Sequence, residues 1–315
     1  GSMLVGRYGL SVDKLLHMLW TRLTGGAADW SVSDEKVVFA IRLPRIAAAA
    51  LVGAALAVSG TAYQGMFRNP MVSPDILGAS TGAGFGAALA ILLGAGYFGI
   101  SLSAFCFGLL AVAAAWLVSR LSRSDPTVAL ILAGMMISSL FSAGTSFIKL
   151  VADTQQQLPA ITYWLMGSFT SASYQKILIG CPLIIAGIAV IYLLRWRLNI
   201  LSLSDDEARA SGISIKQTRM LFILASTLIT ASAVSMCGQV GWIGLLIPHC
   251  ARMLVGSNNR YVVPVSLSLG ASFMILIDTL SRTISIIELP LSILTAIIGA
   301  PVFISLLNKT RSNLR

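Results

Sequence analysis

From residue 43 onward the chain is a succession of apolar runs, most of them close to twenty residues long, separated by short polar breaks. A helix of about 20 apolar residues crosses the ~30 Å hydrocarbon layer of a bilayer. Runs fall at about 43–66, 74–95, 97–119, 127–149, 175–195, 217–237, 243–255, 261–281 and 290–308. The pattern predicts an all-α polytopic membrane protein with about nine transmembrane helices. Composition agrees: 56% of residues are apolar and 11% charged, with a mean hydropathy of +0.85. Soluble domains carry roughly 25% charged residues, so a soluble enzyme, a disordered chain and a disulfide-stapled secreted module are excluded. Cys106, Cys181, Cys237 and Cys250 form no Cys-x-x-Cys pair and read as buried thiols, with neither a metal site nor a disulfide framework.

The formal charge of +10 raises the question of nucleic acid, but in a membrane protein it is first a topological signal. With 67–73 placed in the cytoplasm, that side collects thirteen Lys and Arg residues, against only Lys149, Lys176 and Arg282 in the opposite short loops. The positive side is the cytoplasmic one, and no nucleic-acid partner is expected. Four runs then precede 175–195 and four follow it, in opposite orientations. That arrangement predicts an inverted repeat around a central span, with the path at the repeat interface. The run 243–255 is too short to cross alone and needs the Gly-rich stretch before it; protein or a cavity must cover such a break. LPAITYWLMGSF at 158–169 is a further half-length helix, bordering a cavity.

Gly1-Ser2-Met3 reads as the remnant of a cleaved tag. Residues 4–42 form an amphipathic extracytoplasmic segment. Within it Val12, Leu15, Leu16, Leu19 and Leu23 share one helical stripe, Ser11 is the N-cap, and Gly25-Gly26 is the stop. Lys14 and Arg22 on the other face suit a helix lying in the membrane interface. The chain starts outside with six basic residues up to Arg45, an odd arrangement that predicts either a missing earlier span or an atypical start. The membrane-spanning body is 43–308, and 309–315 is a cytoplasmic tail.

Gly78-Ala79-Ser80-Thr81-Gly82 matches the nucleophile-elbow pattern, but it lies inside an apolar helix rather than at a strand-to-helix turn. Gly78, Gly82 and Gly86 instead form the small-residue stripe that lets helices approach closely. His249 has no neighbouring ligand to complete a metal site. Asp278 is the one acid well inside a run, which a proton-coupled transporter would need; Arg282, four residues on, offers it a local ion pair. The loop 199–219, NILSLSDDEARASGISIKQTR, reads as a short helix from Ser204 to Ala210, stopped by Gly212 and followed by another helical turn. Leu201, Leu203, Ile213 and Ile215 frame it, which suits a docking surface better than a solvated connector. No G-x-x-x-x-G-K-[ST] motif occurs, so ATP could act only through a separate ATPase.

At these residues the chain resembles the permease subunit of type II ABC importers, the family that carries iron-siderophores, haem, vitamin B12 and molybdate-type oxyanions. The resemblance rests on Arg42-Leu43-Pro44-Arg45 leading into VGAALAVSG, on QGMFRNPMVSPDILGASTGAG at 64–84, and on YWLMGS at 163–168. It continues through EARASGI at 207–213, GQVGWIGLLIPH at 238–249 and ELPLSILTAIIGAPVF at 288–303. The resemblance implies a homodimer with the path along its two-fold axis in a prokaryotic cytoplasmic (inner) membrane. Two ATP-binding cassette subunits would lie beneath it, holding the ATP and Mg, and an extracytoplasmic substrate-binding protein above; this subunit would hold no cofactor and do no chemistry. The family usually has ten helices, and this chain starts about where the first would end.

Carried over by position, Arg42, Arg45 and Arg282 match outward arginines that meet acidic residues on the binding protein. Asp206, Glu207, Ala208, Arg209, Ser211 and Gly212 match the knuckle that inserts into the ATPase, and Thr127 and Val128 match a cytoplasmic gate. Two rival readings stand beside this one: an ion-coupled secondary transporter using Asp278, and an intramembrane hydrolase built on Ser80. The cargo is not legible in the sequence.

Overall fold

The computed structural model describes residues 2–6, 8–26, 29–122, 125–203, 207, 210–285 and 287–312, with 306–312 described by backbone alone. Among the described residues there are eleven helices and no strand. They are α1 (Val12–Thr24), α2 (Val32–Met66), α3 (Ala79–Leu92), α4 (Tyr97–Ser119), α5 (Pro126–Val151) and α6 (Gln157–Met166), then α7 (Tyr174–Leu201), α8 (Ile215–Cys237), α9 (Ile243–Val255), α10 (Asn259–Ser281) and α11 (Leu291–Ser312). Six of them (α2, α4, α5, α7, α8 and α10) are long and apolar enough to cross a membrane.

The centre of the bundle is α2, packed by α7, α8, α9 and α10. Its sequence, LVGAALAVSGTAYQGM over 51–66, is mostly small side chains, so neighbours come down to its backbone. A Cβ added to Gly53 would fall on the carbonyl of Gly270 in α10, and one added to Gly270 on the carbonyl of Gly53; Gly60 meets Gly244 of α9 in the same way. Two hydroxyls of α2 are paired: Ser59 with Thr230 at 3.0 Å, and Thr61 with both the Ala57 carbonyl and Ser266, each at 3.0 Å. The glycine stripe of α3 serves the same end. Gly82 and Gly86 lie against α4 at Phe107 and Ser103, and Ser103 Oγ donates to the Gly86 carbonyl at 2.7 Å.

Two segments differ from the sequence expectation. The run 74–95 is not one helix: Pro74–Leu77 is a 3₁₀ turn, Gly78 has φ +87°, and α3 covers only Ala79–Leu92. Pro74 removes a backbone donor and Gly78 supplies a left-handed cap, so the helix restarts there. The stretch before α9 behaves as expected. Gly238 and Trp242 both have positive φ, and α9 starts beside Leu56 and Gly60, deep along α2. The two interrupted segments meet, with Pro74 against Gly244 and the Gln239 amide donating to the Ser80 carbonyl at 2.8 Å.

The second difference is at the start. Helix α1 forms as expected, with Ser11 accepting from Lys14 N at 3.3 Å and Gly25 closing it at φ +73°. Its stripe divides, however. Leu15 and Met18 pack inward with Leu10 and Val38, while Val12, Leu16, Trp20 and Leu23 are exposed in a row. Residues 32–42 are already helical and continuous with the first span. Ser31 and Asp34 form a reciprocal capping box, and Lys36–Arg42 is wound as a π-helix. Asp34 then ties α1 to α2, accepting from Tyr8 at 2.9 Å and pairing with Lys14 at 2.7 Å.

Candidate functional site

At the end the charge count marks as outer, three arginines and two acids form one cluster. Arg45 leaves α2 and forks onto Glu288 (Nη1 to Oε1 and Nη2 to Oε2, both 2.9 Å), while its Nε donates to Asp278 at 2.7 Å. The bidentate geometry is the strong form of this contact. Thr170 donates to Glu288 at 2.9 Å, and Arg282 Nε lies 3.6 Å from the second Asp278 oxygen. Asp278 therefore sits near the C-terminal end of α10 within an ion cluster, not as an isolated acid at mid-membrane. It is fully buried, and its commitment to Arg45 and Arg282 leaves the proton-relay reading without its residue. The local Asp278–Arg282 pair read from the sequence is present, but the closer partner is Arg45.

These arginines do not present open forks to the exterior. Arg42, Arg45 and Arg282 are 4%, 6% and 9% exposed. Arg42 donates to the carbonyls of Met3 and Tyr8 at 2.6 and 2.7 Å, and Arg282 to the Ser2 carbonyl and hydroxyl, both at 2.6 Å. The chain's own first residues cover the positions expected to meet a partner. Glu288 was quoted in a motif but given no role, and Asp34 was not singled out at all. No local signal could have paired Arg45 with acids more than 230 positions away.

At the opposite end, a cavity of about 700 Å³ opens between the C-terminal ends of α2 and α4, the start of α5 and the start of α8. Thr127 and Arg219 both line it, and Arg219 Nη1 donates to Thr127 Oγ1 at 3.2 Å. Asp125 caps α5, accepting from Thr127 N at 2.8 Å and Val128 N at 3.1 Å. These two donors hold its carboxyl below the usual range. Val128, by contrast, faces outward and is half exposed. The two gate residues expected together thus point to different places.

Of the knuckle, Asp206, Ala208 and Arg209 lie outside the described residues, as does most of the expected 204–210 helix. Glu207 is exposed, and Ser211 bonds its carbonyl through both N (3.2 Å) and Oγ (3.1 Å). Gly212 has φ +72° with open space where a Cβ would be. Ser214 then caps α8 by accepting from Gln217 N. Leu201 is buried and its carbonyl accepts from Arg68 Nε at 2.7 Å, anchoring the start of the loop to the end of α2.

Ser80 donates to the Asp75 carboxylate, which ties the first turn of α3 to the 3₁₀ turn before it. With Gly82 and Gly86 spent on packing against α4, the pattern serves helix contact and not nucleophilic attack.

Apolar helices, charge gathered at the two ends, and a cavity with Arg120, Lys216 and Arg219 among its lining residues at one of them suit a membrane transport subunit. The chain belongs to the FecCD transport family, whose model matches residues 1–309. Like its relatives, it is the permease subunit of an ABC importer. It is 42% identical over 302 residues to the molybdate import system permease protein MolB of Haemophilus influenzae, covering 96% of this chain and 89% of that one. With the cobalamin import system permease protein BtuC of Halobacterium salinarum it shares 37% over 274 residues, 87% and 73% of the two chains. A solved metal-chelate-type ABC transporter in an inward-facing conformation superposes with a TM-score of 0.88 at 40% identity, covering 98% and 94%.

Proposed function

We propose that two copies of this chain form a homodimeric import pathway in a prokaryotic cytoplasmic membrane, driven by two ATPase subunits and supplied by an extracytoplasmic binding protein. The cargo is a molybdate-type oxyanion or a metal chelate such as an iron-siderophore, haem or corrinoid, the cargoes that the relatives' names carry.

The observation that carries the dimer and its path is the outward face of α5. Val128, Leu132, Met135, Met136, Leu140, Phe147 and Leu150 are exposed along it, interleaved with exposed Ser139, Ser142 and Ser146. Ser139 and Ser146 satisfy themselves on the carbonyls four residues back. A face meeting only lipid has no use for serines; one lining a path shared with a second copy does.

Nine helices, α2–α5 and α7–α11, make up the crossing body, with α7 central and four on either side. Support for the inverted repeat comes from the short second member of each set, α3 and α9, each restarted at a positive-φ residue. The 206–212 knuckle couples to the ATPase, and Thr127 with Arg219 closes the cytoplasmic cavity. The binding protein docks over the outer cluster, with Arg42 released from the Met3 and Tyr8 carbonyls and Arg282 from Ser2 of the tag remnant, while Arg45 stays on its acids.

The test is reconstitution with the co-purified ATPase and binding protein. Uptake of molybdate, haem, corrinoid and iron-siderophore should require ATP and survive a proton ionophore. Uptake that collapses with the ionophore while ATP is held constant overturns the coupling. Arg42→Glu with Arg282→Glu should weaken capture of the binding protein, and the wild-type interaction should fall with salt. Unchanged capture would leave these arginines as anchors for the N-terminal segment alone.

A further inference from the structure

A second cavity, of about 190 Å³, lies between α4, α7 and α8 toward their outer ends, away from both polar regions described above. Its wall is largely apolar, built by Phe98, Leu102, Phe105, Ile179, Leu183 and Met236. Lys176 enters it from the first turn of α7. Its Nζ stands 3.2 Å from the centroid of the Tyr97 ring, is buried, and makes no hydrogen bond. Across the cavity the Ser232 hydroxyl of α8 is also buried and unbonded. No Asp or Glu is among the lining residues.

A ring face offsets only part of what an ammonium loses on leaving water, so this position calls for an anion. Where the anion comes from is set by the mouth. Phe98, Leu102 and Ile179 are exposed there, on helices long and apolar enough to cross a membrane. Tyr97 and Lys176 both lie in the first turns of their helices, the headgroup level at which aromatic and basic side chains anchor membrane proteins. An anion carried on acyl chains reaches such a mouth; a free one in water does not.

We propose that this cavity binds the phosphate of an anionic phospholipid from the outer leaflet. Lys176 Nζ and the Ser232 hydroxyl are the donors, and one chain lies along Leu102, Phe105, Ile179 and Leu183. An ammonium and a hydroxyl held in a dry cavity give a phosphate charge-assisted hydrogen bonds.

The purified protein in neutral detergent is offered phosphatidylglycerol, phosphatidylcholine or inorganic phosphate, and bound species are counted by native mass spectrometry. Wild type should retain phosphatidylglycerol roughly tenfold better than phosphatidylcholine. Lys176→Met should abolish that preference and Lys176→Arg keep it. Leu102→Trp, a change on the exposed rim, should reduce retention with the charge intact, which covers the case of a Lys176→Met variant that fails to fold. Equal retention of the two lipids by wild type, or an unchanged preference in Lys176→Met, overturns the proposal. So does displacement of the lipid by inorganic phosphate, which would make this a free-anion site. The readout is binding alone, so it stands or falls separately from the transport reading.

Discussion

At the outer end of the bundle Arg45, Asp278 and Glu288 bind three pieces of chain to one another: α2, the end of α10 and the segment before α11. At the cytoplasmic end Gly212 and Ser211 touch little beyond their own turn, and a Cβ at 212 would meet nothing. Both regions are polar and both were expected to face partners. The first is buried charge whose members are mutually dependent; the second is exposed backbone shape. Removing one member should therefore cost stability at the outer end, and coupling at the cytoplasmic end.

The largest effect should come from Arg45→Met, which takes the bidentate fork from Glu288 and leaves Asp278 with Arg282, 3.6 Å away. Breaking a buried ion pair from one side costs about 3–5 kcal/mol, enough to collapse the monodisperse peak in size-exclusion chromatography. Adding Glu288→Gln to the same chain should recover part of it, because Asp278 keeps its contact with Arg282 and only one carboxylate is then left short of its partner. If Arg45→Met alone is as stable as wild type, the two ends do not differ as argued.

Next in size is Gly212→Val. The left-handed turn resists a β-branched residue by roughly 1–2 kcal/mol, a local cost that leaves the bundle folded. Stimulation of the ATPase by the binding protein should fall together with uptake in proteoliposomes. Wild-type stimulation in this variant would make the loop a connector.

Asp125→Ala tests whether the cytoplasmic end also holds a stabilising charge. Loss of the cap on α5 should cost about 1 kcal/mol. Because the folded carboxyl is held below its ordinary value of 3.8, its contribution is fully present above that value and fades as pH falls through the lower folded one. The difference in melting temperature between wild type and variant should hold steady from roughly pH 5 to 8 and shrink in stronger acid. A gap that widens on acidification would contradict this assignment. Smallest of all is Thr127→Val, which takes one acceptor from Arg219 and should cost about 0.5 kcal/mol, read as a modest change in uptake rate at unchanged expression.

Much of the fold could be read from the sequence because hydrophobic run length is a local property. The bounds of α4, α5, α8 and α10 lie within a few residues of those expected. The break at Pro74–Gly78 was missed because Ile76, Leu77 and the alanines beyond keep the hydropathy high across it, while the glycine's φ is decided by packing. The start of α2 at Val32 was missed because Asp34, Glu35 and Lys36 look like loop residues until Lys14 and Tyr8 arrive to pair with Asp34. The site was legible as residue types but not as settings. Arg42, Arg45 and Arg282 were singled out by resemblance; that they are covered follows from contacts with Met3, Tyr8 and distant acids, which no spacing in the chain encodes.

The glycine contacts along α2 carry a mechanical consequence. Where Gly53 rests on Gly270 and Gly60 on Gly244, backbone meets backbone with no layer of side chains between to swap rotamers. Sliding one helix past the other would drive carbonyls into Cα atoms, so α2, α9 and α10 turn together as one stiff strut or not at all. The hinge of any gating stroke must then lie outside this trio. The permease behaves as a keel with movable planking, not as a bundle that breathes evenly.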